Sequence, residues 1–202
     1  MAGNMKVGVL ALQGDVSEHV VTMECAFRSS GISGEVVEVR RPAQLDGISA
    51  LLMPGGESTT MAKQIERFGL RQPILDLGRS GLPIMGTCAG AILLASDIMD
   101  QRGPREVCPL GLIEIDIRRN AFGRQADSFE KPLTIKGLDG DFPGIFIRAP
   151  RIEEITEKVE SLASLDAEHV MVRQGSIVAL TFHPELAGDD RVHGLFLKMV
   201  RP

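Results

Sequence analysis

The chain has 202 residues and a formal net charge of −5, a length that suits one domain of ordinary size or two very small ones. Apolar residues make up 44% and charged residues 24%, which is a globular rather than a disordered composition. The mild acidity without a basic run argues against nucleic acid or an anionic membrane as the main partner, and the absence of Trp and Tyr removes a tyrosine general acid.

Residues 6–12 form a short, nearly continuous apolar run, as expected of a strand buried on both faces of a parallel sheet. Asp15 starts a helix, with Glu18 three residues later in capping-box spacing. Val16, Val20, Met23 and Phe27 share one face of that helix, and Gly31 and Gly34 close it. A second strand is expected over 35–40 and a third over 50–53, ended by Pro54-Gly55-Gly56. Helices follow from Thr59 and over 70–77, then a strand over 82–85. Residues 89–99 are apolar all round and predict one buried helix. Strand and helix alternate, so this half reads as α/β with a parallel sheet.

The second half changes character. Residues 112–118 alternate strictly, as a half-buried strand does. Further short strands are expected over 133–136, 144–148, 170–173 and 177–182, some of them antiparallel, with a hairpin turn at Gln174-Gly175. Val192, Leu195, Phe196, Met199 and Val200 form a closing amphipathic helix. Nothing reads as a repeat or a linker, so a single domain over 1–202 is expected.

No stretch approaches the roughly 18 apolar residues that span a bilayer, and the N-terminus lacks a signal-peptide pattern. Cys25, Cys88 and Cys108 are odd in number and widely spaced. They make neither a disulfide framework nor a metal site, so a reduced cytoplasmic setting and no metal are expected.

The sharpest feature is Gly86-Thr87-Cys88-Ala89-Gly90, between an apolar strand and an apolar helix. This is the G-x-nucleophile-x-G elbow with Cys in place of Ser. A tight strand-to-helix turn pushes the central side chain out above the sheet, and small neighbours let other chain pass closely. Cys88 would then sit at a helix N-terminus, where the dipole favours negative charge, with the Ala89 N–H placed to bind an oxyanion. The bland alternative is a small buried Cys at an ordinary turn. Cys25 and Cys108 read as packing residues.

A thiol nucleophile needs a base. Of the four histidines, His183 ends the 177–182 strand, and sites in parallel α/β sheets gather at such ends. Glu185 lies two residues on, across Pro184, and in extended chain shares a side with His183. A carboxylate there can hold the imidazole in one tautomer. The alternative is a surface His beside a turn. His19 and His193 sit on predicted helices among polar neighbours and read as solvated. The order nucleophile, base, acid departs from that of α/β-hydrolases, in which the acid precedes the base.

Gly55-Gly56 in the loop after the third strand could turn backbone N–H groups toward an anion, although many such loops carry Gly-Gly. The segment 118–125 is basic within an acidic chain. One of its arginines could bind a carboxylate through a bidentate pair, or the loop is simply solvated. Arg148 carries the same ambiguity.

Gly-Thr-Cys-Ala-Gly at 86–90 with Phe-His-Pro-Glu-Leu at 182–186 resembles the class I, triad-type glutamine amidotransferases. More narrowly, L-Q-G-D (12–15), P-G-G-E-S-T-T-M (54–61), R-N-A-F-G-R-Q (119–125), D-S-F-E (127–130) and F-I-R-A-P (146–150) are similar to the glutaminase subunits of pyridoxal 5′-phosphate synthase. The resemblance runs from about residue 6 to residue 200. It implies a three-layer, flavodoxin-like sandwich around a mainly parallel sheet with extra antiparallel strands. It also implies that Cys88 attacks the glutamine amide, His183 shuttles protons and Glu185 orients it, with no cofactor. Gly56 and Ala89 match oxyanion-hole positions. Gly56, Glu57, Ser58, Arg119, Ile147 and Arg148 match positions that hold glutamine. The implied partner is a separate synthase subunit that uses the ammonia. The sequence departs only in a few extra N-terminal residues and a slightly longer loop over 101–109. Rival readings are a glutaminase serving another amidotransferase, a cysteine hydrolase of related fold, and a binding module that lost its chemistry.

Overall fold

The architecture comes from a computed structural model, which describes residues 5–99, 107–119 and 128–200. In chain order, β1 (Met5–Leu10), α1 (Val16–Ser30), β2 (Gly34–Val39), a 3-10 turn (Pro42–Leu45), β3 (Ala50–Met53), α2 (Ser58–Arg67), α3 (Arg71–Arg79), β4 (Ile84–Thr87) and α4 (Ala89–Leu94) form the alternating half. There follow β5 (Ala95–Ile98), β6 (Ile113–Arg118), β7 (Ser128–Thr134), β8 (Asp141–Ile147), β9 (Arg151–Ile155), β10 (Glu160–Leu165), β11 (Glu168–Gln174) and β12 (Ile177–Leu180). The described chain closes on a 3-10 turn (Pro184–Leu186) and α5 (Arg191–Leu197).

The central sheet has the order β10-β11-β12-β4-β3-β1-β2. From β12 to β2 every neighbouring pair is parallel, and β10-β11-β12 adds an antiparallel edge. The expected α/β sandwich is what the chain builds. The apolar runs are continuous because both faces of each strand are covered. In β3, Leu51 and Met53 pack with α2, α3 and α4, whereas Ala50 and Leu52 pack toward α1, α5 and the β7-β8 pair. Gln174 pairs with Ile177, so the hairpin turn falls on Gly175 and Ser176, one residue beyond the expected Gln174-Gly175, with Gly175 at φ 58°.

Three expectations need correction. The helix expected over 89–99 ends at Leu94, and the chain continues as β5 in a second, three-stranded sheet, β5-β6-β9. In β5 Ala95 and Ile98 are buried while Ser96 is exposed and Asp97 half-buried, with a register shift against β6 between Ala95 and Asp97. β9 and β10 escaped the sequence reading because their alternation is weak. The apolar face of α1 is turned by one residue: His19, Met23, Ala26 and Phe27 are buried, and Val16 and Val20 are only half-buried. Most of the expected 101–109 loop and most of the 118–125 segment lie outside the described residues.

Candidate active site

The carboxyl ends of β1, β3, β4 and β12 lie side by side, and the loops leaving them converge. This is where open α/β sheets place ligands. β4 delivers Cys88 and β12 leads into His183. The two strands pair in register from Ile84 and Ile177 to Thr87 and Leu180, and Cys88 N donates to Leu180 O at 2.8 Å. The ladder therefore fixes how far the nucleophile candidate stands from the base candidate.

Cys88 holds φ 49° and ψ −103° immediately before α4. A non-glycine residue at positive φ is strained, and here the strain belongs to the elbow. Gly90 makes the turn possible: a Cβ there would lie 2.0 Å from Met53 O. The Ala89 amide is the first of α4, and first-turn amides have no acceptor within their own helix.

His183 Nδ1 lies 2.7 Å from Glu185 Oε1 and 3.3 Å from Asp15 Oδ2. The expected His183-Glu185 contact is therefore present, although the intervening chain is not extended. His183 caps the 3-10 turn at Pro184–Leu186, and Glu185 folds back under the ring. Asp15 was read as a helix cap. Its side chain makes no cap hydrogen bond and faces His183 instead.

Burial is the largest influence on the His183 imidazolium and opposes it. Asp15, the nearby Cys88 sulfur and Glu185 together outweigh it and push the ring up to about 12. Burial raises the Glu185 carboxyl above its ordinary value, with His183 pulling the other way. Donor atoms of Asp15, His183 and Glu185 lie within 4.8 Å of one another, a spacing a cation could use. The 2.7 Å Nδ1–Oε1 contact, however, requires a proton between the two atoms, so Nδ1 serves as a hydrogen-bond donor and offers no lone pair to a cation.

These groups line a pocket of about 540 Å³ bounded by Asp15, Gly56, Glu57, Ser58, Cys88, Ile92, Arg119, Ser128, Ile147, Arg148 and His183. All six positions matched by resemblance to glutamine binding are brought together in it. Glu57 enters differently from expectation. Its carboxylate caps α2, accepting from Thr59 N at 2.9 Å, Thr60 N at 2.7 Å and Thr60 Oγ1 at 2.7 Å. Arg119 Nη1 lies 3.3 Å from Thr59 Oγ1 on the same helix, whereas Arg118 pairs with Glu153 at 2.6 Å. Arg148 sits at φ 44°, a second strained residue on the rim. Gly55 passes so close to the base that a Cβ would lie 2.5 Å from His183 Cε1.

Over residues 9–202 the chain matches the SNO glutamine amidotransferase family. The chain belongs to that family. It is 48% identical to the pyridoxal 5′-phosphate synthase subunit PdxT of Thermococcus gammatolerans, over 96% of this chain and 98% of the relative. It is 52% identical to the PdxT of Mycobacteroides abscessus, over 96% and 97%. A crystal structure described as a glutamine amidotransferase superposes with a TM-score of 0.85 at 45% identity, covering 96% of this chain and 98% of that one. A Thermotoga maritima glutamine amidotransferase at 14% identity and TM-score 0.62 shares the fold. The chain is thus a glutamine-hydrolysing enzyme of the amidotransferase class, and the cysteine-hydrolase reading falls away.

The sequence reading missed two buried histidines. His19 and His193, expected in solvent, are both fully buried behind Glu185. Helical spacing carried the signal, because His19 stands four and eight residues before Met23 and Phe27. Cys108, expected to pack, is exposed, and Cys25 is half-buried; both are free thiols, as is Cys88.

Proposed function

We propose that the chain is one amidotransferase domain whose Cys88, His183 and Glu185 hydrolyse glutamine to glutamate and ammonia. The observation that supports this most is the strained Cys88 at a helix start, facing an imidazole held between two carboxylates. The Cys88 sulfur attacks the side-chain amide carbon, with His183 Nε2 already carrying the proton of the pair. The oxyanion is held by the Ala89 and Gly56 N–H groups. His183 then protonates the departing nitrogen, and ammonia leaves a glutamyl thioester. Water, deprotonated by His183, attacks the thioester. Glutamate is released, and the proton taken from water stays on His183 beside the freed sulfur. Glu57, Ser58, Arg119, Ile147 and Arg148 hold the substrate, with an arginine suited to its α-carboxylate.

We further propose that the ammonia passes to a separate synthase subunit making pyridoxal 5′-phosphate, in a hetero-oligomeric complex in the cytoplasm. Identities of 48% and 52% over 96% of the chain to two subunits of that name support this, and the free cysteines fit a reduced compartment. No described helix is long and apolar enough to cross a membrane.

Glutamate release by the wild type and by Cys88→Ala, each with and without the synthase subunit, tests both parts. Activity should vanish in the variant and rise with the partner in the wild type. Undiminished turnover in Cys88→Ala would overturn the triad. Equal turnover with and without the partner would overturn the coupling.

A further inference from the structure

Glu185 has two oxygens, and the proposed chemistry uses one. Oε1 meets His183, whereas Oε2 points into the core and lies 3.2 Å from His19 Nε2. The same His19 nitrogen is 3.0 Å from Thr87 Oγ1, and its other nitrogen, Nδ1, is 3.0 Å from His193 Nε2. Thr87 Oγ1 is the hydrogen-bond partner of His19 Nε2, whereas Oε2 has no hydrogen bond among the described residues, so His19 meets the carboxylate through a close electrostatic contact. α1 grips the acid's backbone as well, since Thr22 Oγ1 donates to Glu185 O at 3.4 Å. Thr87 is the residue before Cys88. One buried side chain on α1 therefore touches the strand that carries the nucleophile and the residue that orients the base.

The proton count fixes the tautomers. Burial keeps both core rings neutral, with repulsion from neighbouring histidines adding to the effect at His19. Each ring then carries one N–H. A proton on His19 Nε2 faces the carboxylate, leaving Nδ1 to accept from His193 Nε2–H. The other tautomer would aim a lone pair at Oε2. It would also force the His193 proton onto Nδ1, which is buried without a partner among the described residues. The first arrangement leaves only an acceptor unpaired there, and the second strands a buried donor and sets a lone pair against a negative charge.

We propose that His19 and His193 are positioning residues for the triad: His193 fixes the His19 tautomer, and His19 Nε2–H holds Glu185 so that Oε1 stays on His183 Nδ1. The chain of contacts runs from α5 through α1 and the 3-10 turn to the end of β12. This inference rests on the triad reading above.

Asparagine and glutamine at position 19 separate the roles. Both are polar and fit the same pocket, but only Gln reaches the place of Nε2. The full chain is assayed with its synthase subunit present and compared at equal folded content by circular dichroism. His19→Asn should lower kcat about ten- to a hundredfold, the scale at which outer partners of a working side chain act, with KM changed by less than about threefold. Its acid limb in kcat/KM should move to higher pH, because the carboxylate has lost a nearby N–H dipole that favours its charged form. His19→Gln should recover most of kcat and restore the limb. Equal kcat and pH profiles in the two variants would overturn the proposal. If His19→Asn does not fold, His193→Leu against His193→Gln reads the same contact one step back, and equal kcat again overturns it. Wild type and Cys88→Ala run alongside. If those two do not differ, the triad reading has failed, whatever the position-19 variants do.

Discussion

Glu185 separates two regions that hold the same side chain in opposite states. On the pocket face, His183 is pushed up to about 12. On the core face, His193 is pushed down to about 3 and His19 lies well below its ordinary value. Burial opposes charge on every one of these rings. What differs is the count of negative neighbours. His183 faces Asp15, Glu185 and the Cys88 sulfur, whereas His193 faces a neutral ring and His19 has one 3.2 Å contact with a carboxylate oxygen that accepts no hydrogen bond among the described residues. A single buried carboxylate cannot hold two imidazolium ions, so the charge collects where substrate arrives.

The largest break in this asymmetry comes from removing the shared charge. Glu185→Gln keeps the shape but offers an amide to both histidines. The imidazolium loses its closest counter-charge, and activity should fall about 10²–10⁴-fold, the range of general acid–base catalysis. Steady-state kinetics on folded variant checks this, and a loss below about tenfold would show that Asp15 alone suffices.

The next effect is on stability, and its sign differs between the faces. His183 binds its proton more tightly in the fold, so its contribution is full below pH 6.5 and is lost as pH rises through about 12. His193 is neutral in the fold, and below pH 6.5 the unfolded chain takes up a proton that the fold refuses. Stability then falls as pH drops toward about 3. Each group can tilt the curve by up to about 1.4 kcal/mol per pH unit within its window. Denaturant unfolding across pH should show His183→Asn flattening the alkaline slope and His193→Leu flattening the acid slope. The reverse assignment would mean that the two faces had been misread.

Asp15→Asn is a smaller change on the pocket face. Its carboxylate is 3.3 Å from His183 Nδ1, and the side chain is 34% exposed, so water screens the pair. Turnover should fall by roughly three- to tenfold, with the proton affinity of His183 lowered. An unchanged pH profile would leave Glu185 as the sole counter-charge.

The pocket face was the legible one. Cys88 and the His183-Glu185 pair are each encoded within a few consecutive residues, because an elbow and a strand end are local devices. Arg119, Ile147 and Arg148 were reached by resemblance, since no local pattern says that they meet. The core face was not read, because His19 and His193 are 174 residues apart in sequence and polar neighbours disguised them. Placing the apolar stripe of α1 on Val16 and Val20 also turned His19 outward, and a one-residue rotation hid it. Asp15 has the composition of a helix cap, and only the fold shows its carboxylate turned to the base. The parallel strands were found because burial on both faces leaves continuous apolar runs. β5 was absorbed into a helix because its first residues continue such a run.

Glu57 tests whether this asymmetry is confined to Glu185. Burial raises its carboxyl, but the hydrogen bonds from Thr60 and Thr59 outweigh that and bring it down to about 2. The reason is a helix start rather than a counter-ion: the first amides of α2 have no acceptor of their own, and Glu57 supplies one. A carboxyl lowered in the fold stabilises above its ordinary value and loses that contribution as pH falls through about 2. Glu57→Ala should therefore cost about 1 kcal/mol or less at neutral pH, as an exposed cap does, with the loss fading in acid. KM for glutamine should rise, because Gly56 and the first turn of α2, which bears Ser58, lose the cap that joins them, whereas the acid limb of kcat/KM should stay in place. A shifted limb would mean that the cap and the triad are electrostatically coupled, and the two faces of Glu185 would then no longer be the only place where charge is apportioned.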